Sequence, residues 1–150
     1  MKSLIQRVSR GSVSVEGEVV GRIAQGLVVL LGVKSGGTEQ DVEFLARKTV
    51  DLRVFADDSN RMNLSVRDIG GEMLIISQFT LYADTRKGNR PGFTSAADPE
   101  HAEKLYKSYV ESIRRLIKPK KVATGVFGAM MEVNIINDGP VTLEICTDNS

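Results

Sequence analysis

The stretch Leu27-Val28-Val29-Leu30-Leu31-Gly32-Val33 is the longest apolar run in the chain and constrains the fold most strongly. It falls far short of the roughly 20 residues that a membrane-spanning helix needs. Because no polar residue interrupts it, the run predicts a strand that is buried on both faces. The turn signals Glu16-Gly17 and Gln25-Gly26 separate it from earlier segments of strand character.

Further strand segments lie on both sides of this central run. Before it, Ser3 to Val15 alternates in places and Glu18 to Ala24 carries Val19, Val20 and Ile23. After it, Met73 to Tyr82 has the pattern of another buried strand. The last part of the chain predicts two or three more strands: Val122 to Phe127, Met131 to Ile136 and Val141 to Thr147.

Two amphipathic helices are predicted between these strands. Thr38 and Asp41 have the spacing of a capping box, and apolar residues then recur at helical intervals over about four turns. Asp98 is the expected N-cap of the second helix, Pro99 its first residue, and Pro119 stops it. The order of elements predicts an α+β fold, with mixed or antiparallel sheets in a barrel-like sandwich and two main packing helices.

Composition places the chain among soluble globular proteins. It has 150 residues, 41% hydrophobic and 26% charged, with a net charge of +1, so any site for a polyanion has to be a local patch. No linker or repeat divides the sequence, which predicts one domain over residues 1–150. Met1 to Arg7 becomes polar too early for the apolar core of a signal peptide, so a cytoplasmic location and no membrane partner are expected.

The usual catalytic side chains are scarce. The only histidine, His101, is expected on the solvated side of the second helix, and the only cysteine, Cys146, among apolar residues of the last strand. A nucleophilic cysteine needs an activating base, and one cysteine with one histidine cannot build a usual zinc site. We therefore expect neither a metal nor another cofactor.

Three polar features remain as candidates for chemistry. Ser77, Gln78 and Thr80 interrupt the end of an apolar strand, where side-chain and released main-chain groups could orient a substrate; ordinary face pairs of a strand are an equal alternative. Asp138-Gly139-Pro140 allows unusual φ and a cis bond, although a plain turn is the simpler reading.

The third feature is the loop Arg86-Lys87-Gly88-Asn89-Arg90-Pro91-Gly92, which brings three cations close behind the first motif. A second basic cluster contains Lys118, Lys120 and Lys121. Either cluster could hold phosphates, and a solvated basic surface is the ordinary alternative.

Taken together, these segments resemble the D-aminoacyl-tRNA deacylases. The family's Ser-Gln-Phe-Thr-Leu motif is present as Ser77 to Leu81 and its Asn-x-Gly-Pro-Val-Thr motif as Asn137 to Thr142. Similarity runs along the chain and includes these segments: Ile5 to Arg10, Gly26 to Val33, Met62 to Ser65, Lys87 to Pro91 and Gly125 to Ala129.

The resemblance implies a hydrolase that cleaves D-aminoacyl-tRNA, and also glycyl-tRNA, and spares L-aminoacyl-tRNA. It implies a homodimer in which a cis Gly139-Pro140 pair enters the partner's active site and rejects L side chains through its two carbonyls, with Arg7 holding that loop. The expected partners are the aminoacylated 3′ end of tRNA and a second copy of the chain, with no DNA.

Catalytic roles are expected for Ser77, Gln78, Phe79 and Thr80, with the N–H of Phe79 and a neighbouring amide holding the oxyanion. Either the Thr80 hydroxyl or, preferably, the tRNA 2′-hydroxyl assists the attack. Arg86, Lys87 and Arg90 are the expected tRNA contacts. Two rivals stay open: a nucleic-acid binding module without activity, and an esterase that uses Thr80 on a small molecule.

Overall fold

The structure is a computed structural model that describes residues 1–147. Its two α-helices are α1 (Glu39–Asp51) and α2 (Pro99–Leu116), and short 3-10 helices cover Phe79–Tyr82 and Pro119–Lys121. The strands are β1 (Lys2–Val15), β2 (Glu18–Ile23), β3 (Gly26–Gly32), β4 (Phe55–Ala56), β5 (Met62–Leu64), β6 (Glu72–Ser77), β7 (Val122–Thr124) and β8 (Glu132–Cys146).

The main sheet has the order β2-β1-β3-β6-β7, and β8 pairs with the other side of β1. β3 is antiparallel to β1, whereas β6 and β7 run parallel to β3, so the sheet is mixed. The first half of β1 pairs with β3 and its second half with β2, so these two strands share one edge of β1. β8 follows the opposite edge along almost the whole length of β1.

The sheet curls until its ends nearly meet. A Cβ atom added to Gly21 of β2 would lie 2.6 Å from the Thr124 carbonyl oxygen of β7, so the two end strands are in close contact. The inside of this barrel is filled by a small apolar cluster. Its fully buried members are Val8, Val13, Ile23, Val28, Leu74 and Ile76.

Both α-helices pack on the outer face of β1, β3 and β6 and form the larger core there. Alternate residues of β3 and β6, including Leu27, Val29 and Ile75, face the helices, and the intervening residues face the barrel. The predicted burial of the Leu27–Val33 run on both faces is thus confirmed. Among residues 1–147, no helix combines the length and apolarity needed to cross a membrane.

The predicted fold class is confirmed: two helices pack against a mixed, barrel-like sheet. The predicted helix starts are also confirmed. The Thr38 hydroxyl accepts from the Asp41 N–H while the Asp41 carboxylate accepts from the Thr38 N–H, and Asp98 caps α2 by accepting from His101 N–H. These caps satisfy main-chain donors that the first helical turn leaves unpaired.

Three predicted strand boundaries are wrong. The strand expected to reach Tyr82 ends at Ser77, and the one expected to reach Phe127 ends at Thr124. The two strands expected around residues 138–140 are one continuous strand, β8, and not two strands joined by a plain turn. β8 tolerates Pro140 because it is an edge strand, where a missing N–H removes no ladder bond on the open side.

Candidate active site

The first polar motif lies where β6 ends. Ser77 is the last residue of the strand, and the Gln78 N–H still donates to the Leu31 carbonyl at 2.8 Å. The chain then leaves the sheet and forms the 3-10 turn Phe79–Tyr82, so most of the motif is a turn and not a strand. Carboxyl ends of parallel strands are a common location for ligand sites.

This change of structure leaves main-chain donors free. Leu81 and Ala83 donate to the carbonyls of Gln78 and Thr80, as the 3-10 turn requires. Because Phe79 and Thr80 open the turn, their own N–H groups have no acceptor within residues 1–147. Two adjacent free N–H groups at an exposed strand end can receive an anionic oxygen.

The side chains of the motif surround these donors. The Gln78 Nε2 donates to the Thr80 Oγ1, so the amide orients the hydroxyl. The Phe79 ring is 55% exposed and meets the Phe93 ring edge-on, with centroids 5.0 Å apart. An exposed aromatic pair beside free N–H groups offers an apolar wall for a ligand.

Gly32, at the end of β3, allows this turn to sit close to the sheet. A Cβ atom at this position would lie 3.1 Å from the Leu81 Cβ and 3.3 Å from the Gln78 carbonyl oxygen. The sequence signal for Gly32 was only its place at the end of an apolar run. Only the contact of Gly32 with Leu81 and Gln78 in the folded chain shows that Gly32 helps to position the turn.

The basic loop starts just after the 3-10 turn. Asp84 and Gly92 exchange main-chain hydrogen bonds of 2.7 and 2.9 Å, which close a loop of residues 85–91. Within it, the Arg86 guanidinium donates to both Asp84 carboxylate oxygens at 2.9 and 2.8 Å. These hydrogen bonds, with that from the Arg86 N–H, lower the pKa of Asp84 to about 2.

The three predicted tRNA contacts therefore differ in their environment. Arg86 is engaged by Asp84, whereas Lys87 and Arg90 are exposed and pair with no carboxylate among residues 1–147. Phe93 follows the loop and packs on Phe79, which holds the loop beside the first motif. Phe93 was missed from the sequence because an isolated aromatic residue in a polar loop carries no pattern.

The second motif lies inside β8. The Asn137 side chain accepts from the Val141 N–H at 3.2 Å and donates to the Thr142 hydroxyl at 2.9 Å, so it spans the segment between them. Gly139 has φ +122°, and the Gly139–Pro140 peptide bond is cis. Both residues are exposed, so the segment projects from the sheet edge.

Arg7 holds this segment from behind. Its Nε donates to the Asp138 carbonyl at 3.1 Å and lies 3.6 Å from the Asp138 carboxylate, while its Nη1 donates to the Val54 carbonyl at 2.6 Å. The Arg7 side chain is only 15% exposed. It thus connects the projecting segment to the chain that follows α1. No pattern in the sequence predicts the contact with Val54.

Within one chain, the two motifs lie apart. Arg7 pairs with Leu27 at the start of β3, whereas Gln78 bonds to Leu31 near its end. Four residues along the strand and three strand spacings across the sheet separate the motifs by roughly 19 Å. One chain alone does not bring Gly139–Pro140 to the Phe79 turn.

His101 differs from its expected environment. It is half-buried instead of solvated, and its Nε2 lies 2.8 Å from the Gly37 carbonyl oxygen, against the loop that precedes α1. The ring therefore links α2 to this loop. Cys146 is half-buried in β8, as expected for the last strand. Across residues 1–147, no three His, Cys, Asp or Glu side chains gather as metal ligands.

Fold and site together define the class of this protein. It is an α+β protein with a barrel-like mixed sheet, and its polar site lies at the end of one strand. The site combines hydroxyl, carboxamide and main-chain groups. The family model described as D-Tyr-tRNA(Tyr) deacylase matches residues 4–146. The chain belongs to this family.

Individual relatives agree with this assignment. The D-aminoacyl-tRNA deacylase of Chloroflexus aurantiacus is 57% identical over 145 residues, which are 97% of this chain and 89% of the relative. That of Dehalococcoides mccartyi is 54% identical over 143 residues, or 95% and 92% of the two chains.

Two solved structures share the fold. One, named c-Myc DNA Unwinding Element Binding Protein, is 44% identical with a TM-score of 0.94, and the match covers 99% of both chains. The other, a probable eukaryotic D-amino acid tRNA deacylase, has a TM-score of 0.82 over 96% of this chain and 98% of its own; at 16% identity it supports the fold alone.

Proposed function

We propose that this protein hydrolyses the ester bond of D-aminoacyl-tRNA and releases the D-amino acid and tRNA in the cytoplasm. The observation that carries the proposal is the pair of N–H groups on Phe79 and Thr80 that find no acceptor within residues 1–147, at the strand end where the family motif lies. Membership in the deacylase family and the names of its relatives support the substrate.

The two N–H groups are the proposed oxyanion donors. Water attacks the ester carbonyl carbon, the carbonyl oxygen becomes negative, and the N–H groups of Phe79 and Thr80 stabilise it. One such donor contributes about 2.7–4 kcal/mol to lowering a barrier. Gln78 and Ser77 orient the ester and the terminal adenosine, and the exposed Phe79–Phe93 pair gives them an apolar wall.

The attacking water receives its assistance from the substrate. An aminoacyl ester is already activated, so it needs no strong base. The Thr80 hydroxyl accepts a hydrogen bond from Gln78, and the only histidine is engaged with Gly37. Since no base within residues 1–147 bonds to Thr80, we assign the assisting role to the 2′-hydroxyl of the terminal ribose, and the 3′-oxygen leaves with a proton.

Stereospecificity belongs to Gly139 and Pro140 of the second subunit in a homodimer. The separation of roughly 19 Å between the motifs in one chain supports a site shared by two chains. β8 also supports it, because within residues 1–147 this strand pairs only with β1 and leaves its outer edge open. The Gly139 and Pro140 carbonyls exclude an L side chain, a D side chain projects outward, and glycyl-tRNA is cleaved because glycine has no side chain to exclude.

The basic loop provides phosphate contacts for the tRNA. Lys87 and Arg90 are exposed and free of carboxylates among residues 1–147, so they are the direct contacts. Arg86 acts by holding the loop through Asp84. Each phosphate contact weakens as the salt concentration rises.

A comparison of three substrates tests the proposal. We expect rapid hydrolysis of D-tyrosyl-tRNA, little of L-tyrosyl-tRNA and little of free D-tyrosine ethyl ester. Equal cleavage of the free ester would instead identify a small-molecule esterase.

The second candidate is a nucleic-acid binding protein without activity, which is favoured by the name of the c-Myc DNA Unwinding Element Binding Protein. It predicts that all three esters stay intact while the protein still binds the nucleic acid.

A further inference from the structure

A cleft beside Gly139–Pro140 is not used by the function proposed above. It lies on the outer face of the β2-β1-β8 part of the sheet and has a volume of about 470 Å³. Its lining residues are Arg10, Gly11, Ser12, Arg22, Ile23, Ala24, Asn134 and Ile136. The register places it next to the projecting segment, since Val8 pairs with Asn137 and Arg10 with Ile136.

The cleft is positively charged. Arg10 and Arg22 are both exposed, and neither side chain makes an ion pair or a hydrogen bond with any residue in the described range 1–147. Among the residues that the structure describes, none that lines the cleft carries a carboxylate. Arg7, only three residues from Arg10, is by contrast engaged with Asp138 and Val54. Two uncompensated guanidinium groups in one concavity are suited to bind an anion.

The other walls fit a nucleotide better than a lone anion. Ile136 is 46% exposed although it is apolar, so it gives the cleft an apolar wall. Ser12 and Asn134 add polar side chains that can bond to a base or ribose. An apolar surface between arginines and small polar groups matches the chemistry of a single-stranded nucleic acid, with bases on one side and phosphates on the other.

The position of the cleft indicates which nucleotides of the tRNA it would bind. Ile136 and Gly139 are three residues apart on one strand, or about 10 Å. If Gly139–Pro140 contacts the aminoacyl group in the partner's site, the cleft lies within one or two nucleotides of the ester.

We propose that Arg10 and Arg22 bind the backbone phosphates of the single-stranded 3′ end of the tRNA whose ester occupies the partner subunit's active site. The inference rests on the proposed function and adds a binding site to it. Each subunit then contributes both the Gly139–Pro140 segment and a clamp for the adjoining RNA to the opposite active site.

The first test compares Arg10→Gln/Arg22→Gln with the wild type on D-tyrosyl-tRNA and on the D-tyrosyl ester of adenosine, which has no upstream phosphates. We expect KM for the tRNA to rise about tenfold. The slope of log(kcat/KM) against log[salt] should fall in magnitude by about 1.4, the value for two lost single-strand phosphate contacts. The adenosine ester should be cleaved at the wild-type rate.

The matched control is Arg47→Gln/Lys104→Gln, which removes the same charge from two exposed helical positions. It should leave KM and the salt slope for the tRNA unchanged. Equal effects of the two double variants would overturn the inference, as would equal losses on tRNA and on the adenosine ester. A wild-type protein that cleaves neither substrate would instead refute the proposed function itself.

A mixed dimer tests the placement across the interface. One subunit carries Gln78→Ala and the other Arg10→Gln/Arg22→Gln, so the only intact active site belongs to the subunit without arginines in its cleft. A wild-type KM at that site supports a clamp provided by the partner. A raised KM, equal to that of the Arg10→Gln/Arg22→Gln homodimer, places the clamp in the same subunit and contradicts the proposal.

Discussion

The guanidinium of Arg7 and the main-chain carbonyl of Asp138 are joined by a 3.1 Å hydrogen bond, and the same guanidinium donates to Val54 at 2.6 Å. One largely buried side chain thus fixes a projecting segment of β8 to the chain after α1. Because both acceptors are main-chain oxygens, substitutions of Asp138 or Val54 leave these two hydrogen bonds in place, and a substitution of Asp138 removes only the 3.6 Å ion pair with its carboxylate. We therefore expect the orientation of Gly139–Pro140 to depend on Arg7.

Substitution of Arg7 by Lys tests this dependence. A lysine has one ammonium group and cannot reproduce the two directed contacts of the guanidinium, so the segment should lose its fixed orientation. We expect the ratio of kcat/KM for D-tyrosyl-tRNA to that for L-tyrosyl-tRNA to fall at least tenfold, while circular dichroism shows a folded protein. Arg47→Lys, on the exposed face of α1, is the control; an unchanged ratio for Arg7→Lys would disprove the role.

Gly139→Ala should damage the same segment by crowding. The added Cβ would lie 2.7 Å from the Arg7 Nη2 and 3.0 Å from the Val141 Cγ2, at φ +122°, where L side chains are strained. We expect at least a tenfold loss of kcat/KM for D-tyrosyl-tRNA. Gly17→Ala shares a positive φ but has open space around its Cβ, so it should cost stability of about 1 kcal/mol and no activity. Equal activities of the two variants would contradict the proposed role of the Gly139–Pro140 segment.

Gly32→Ala tests the proposed oxyanion donors, which no substitution of Phe79 or Thr80 other than proline removes. Its Cβ would press on Leu81 and the Gln78 carbonyl and shift the 3-10 turn that begins at Phe79. We expect kcat to fall by 10- to 100-fold with KM changing less than threefold, because the donors act mainly in the transition state. Gly36→Ala, where no atom of the described residues lies within 4 Å of the added Cβ, is the control. A normal kcat for Gly32→Ala would argue against donors on this turn.

Thr80→Ala distinguishes the two groups that could assist the attack on the ester, the Thr80 hydroxyl and the tRNA 2′-hydroxyl. If the tRNA 2′-hydroxyl assists attack, the variant should keep more than a tenth of the wild-type kcat, and D-tyrosyl-tRNA ending in 2′-deoxyadenosine should be nearly inert. Single-turnover rates on both substrates measure this. The reverse pattern would assign the nucleophile to Thr80.

Asp84 should titrate far below an ordinary aspartate. Hydrogen bonds from Arg86 stabilise its charged form and lower its pKa from 3.8 to about 2, so the stabilisation is present above pH 4 and is lost as pH falls toward 2. Carboxyl ¹³C NMR on the wild type should show a midpoint near 2. In Arg86→Gln the midpoint should move toward 3.8, and a midpoint that stays near 2 would show that Arg86 is not the cause.

Local sequence signals accounted for the features that depend on neighbouring residues. Thr38 with Asp41, and Asp98 with Pro99, act within one helical turn, so their spacing is enough to locate both helix starts. The uninterrupted apolar character of the Leu27–Val33 run likewise predicts that the strand is buried. Such signals are reliable because the physical cause and the residues that carry it are adjacent in the chain.

The wrong boundaries have distant causes. The apolar residues Phe79 and Leu81 continue the pattern of β6, and the chain turns there because of its packing against Gly32 on another strand. β8 continues past Gly139–Pro140 because β1 supports it along almost its whole length. His101 is half-buried because the loop at Gly37 covers it. Local periodicity contains none of these contacts.

The main-chain N–H groups of Phe79 and Thr80, proposed above as donors to the oxyanion, have a consequence for the evolution of the protein. A main-chain donor is unaffected by which side chain its residue bears, unless that residue becomes proline. Drift at these two positions alters the surroundings of the donors but does not delete them. Selection for activity should therefore act more strongly on the supports of the turn, such as Gly32, than on the donors' own side chains.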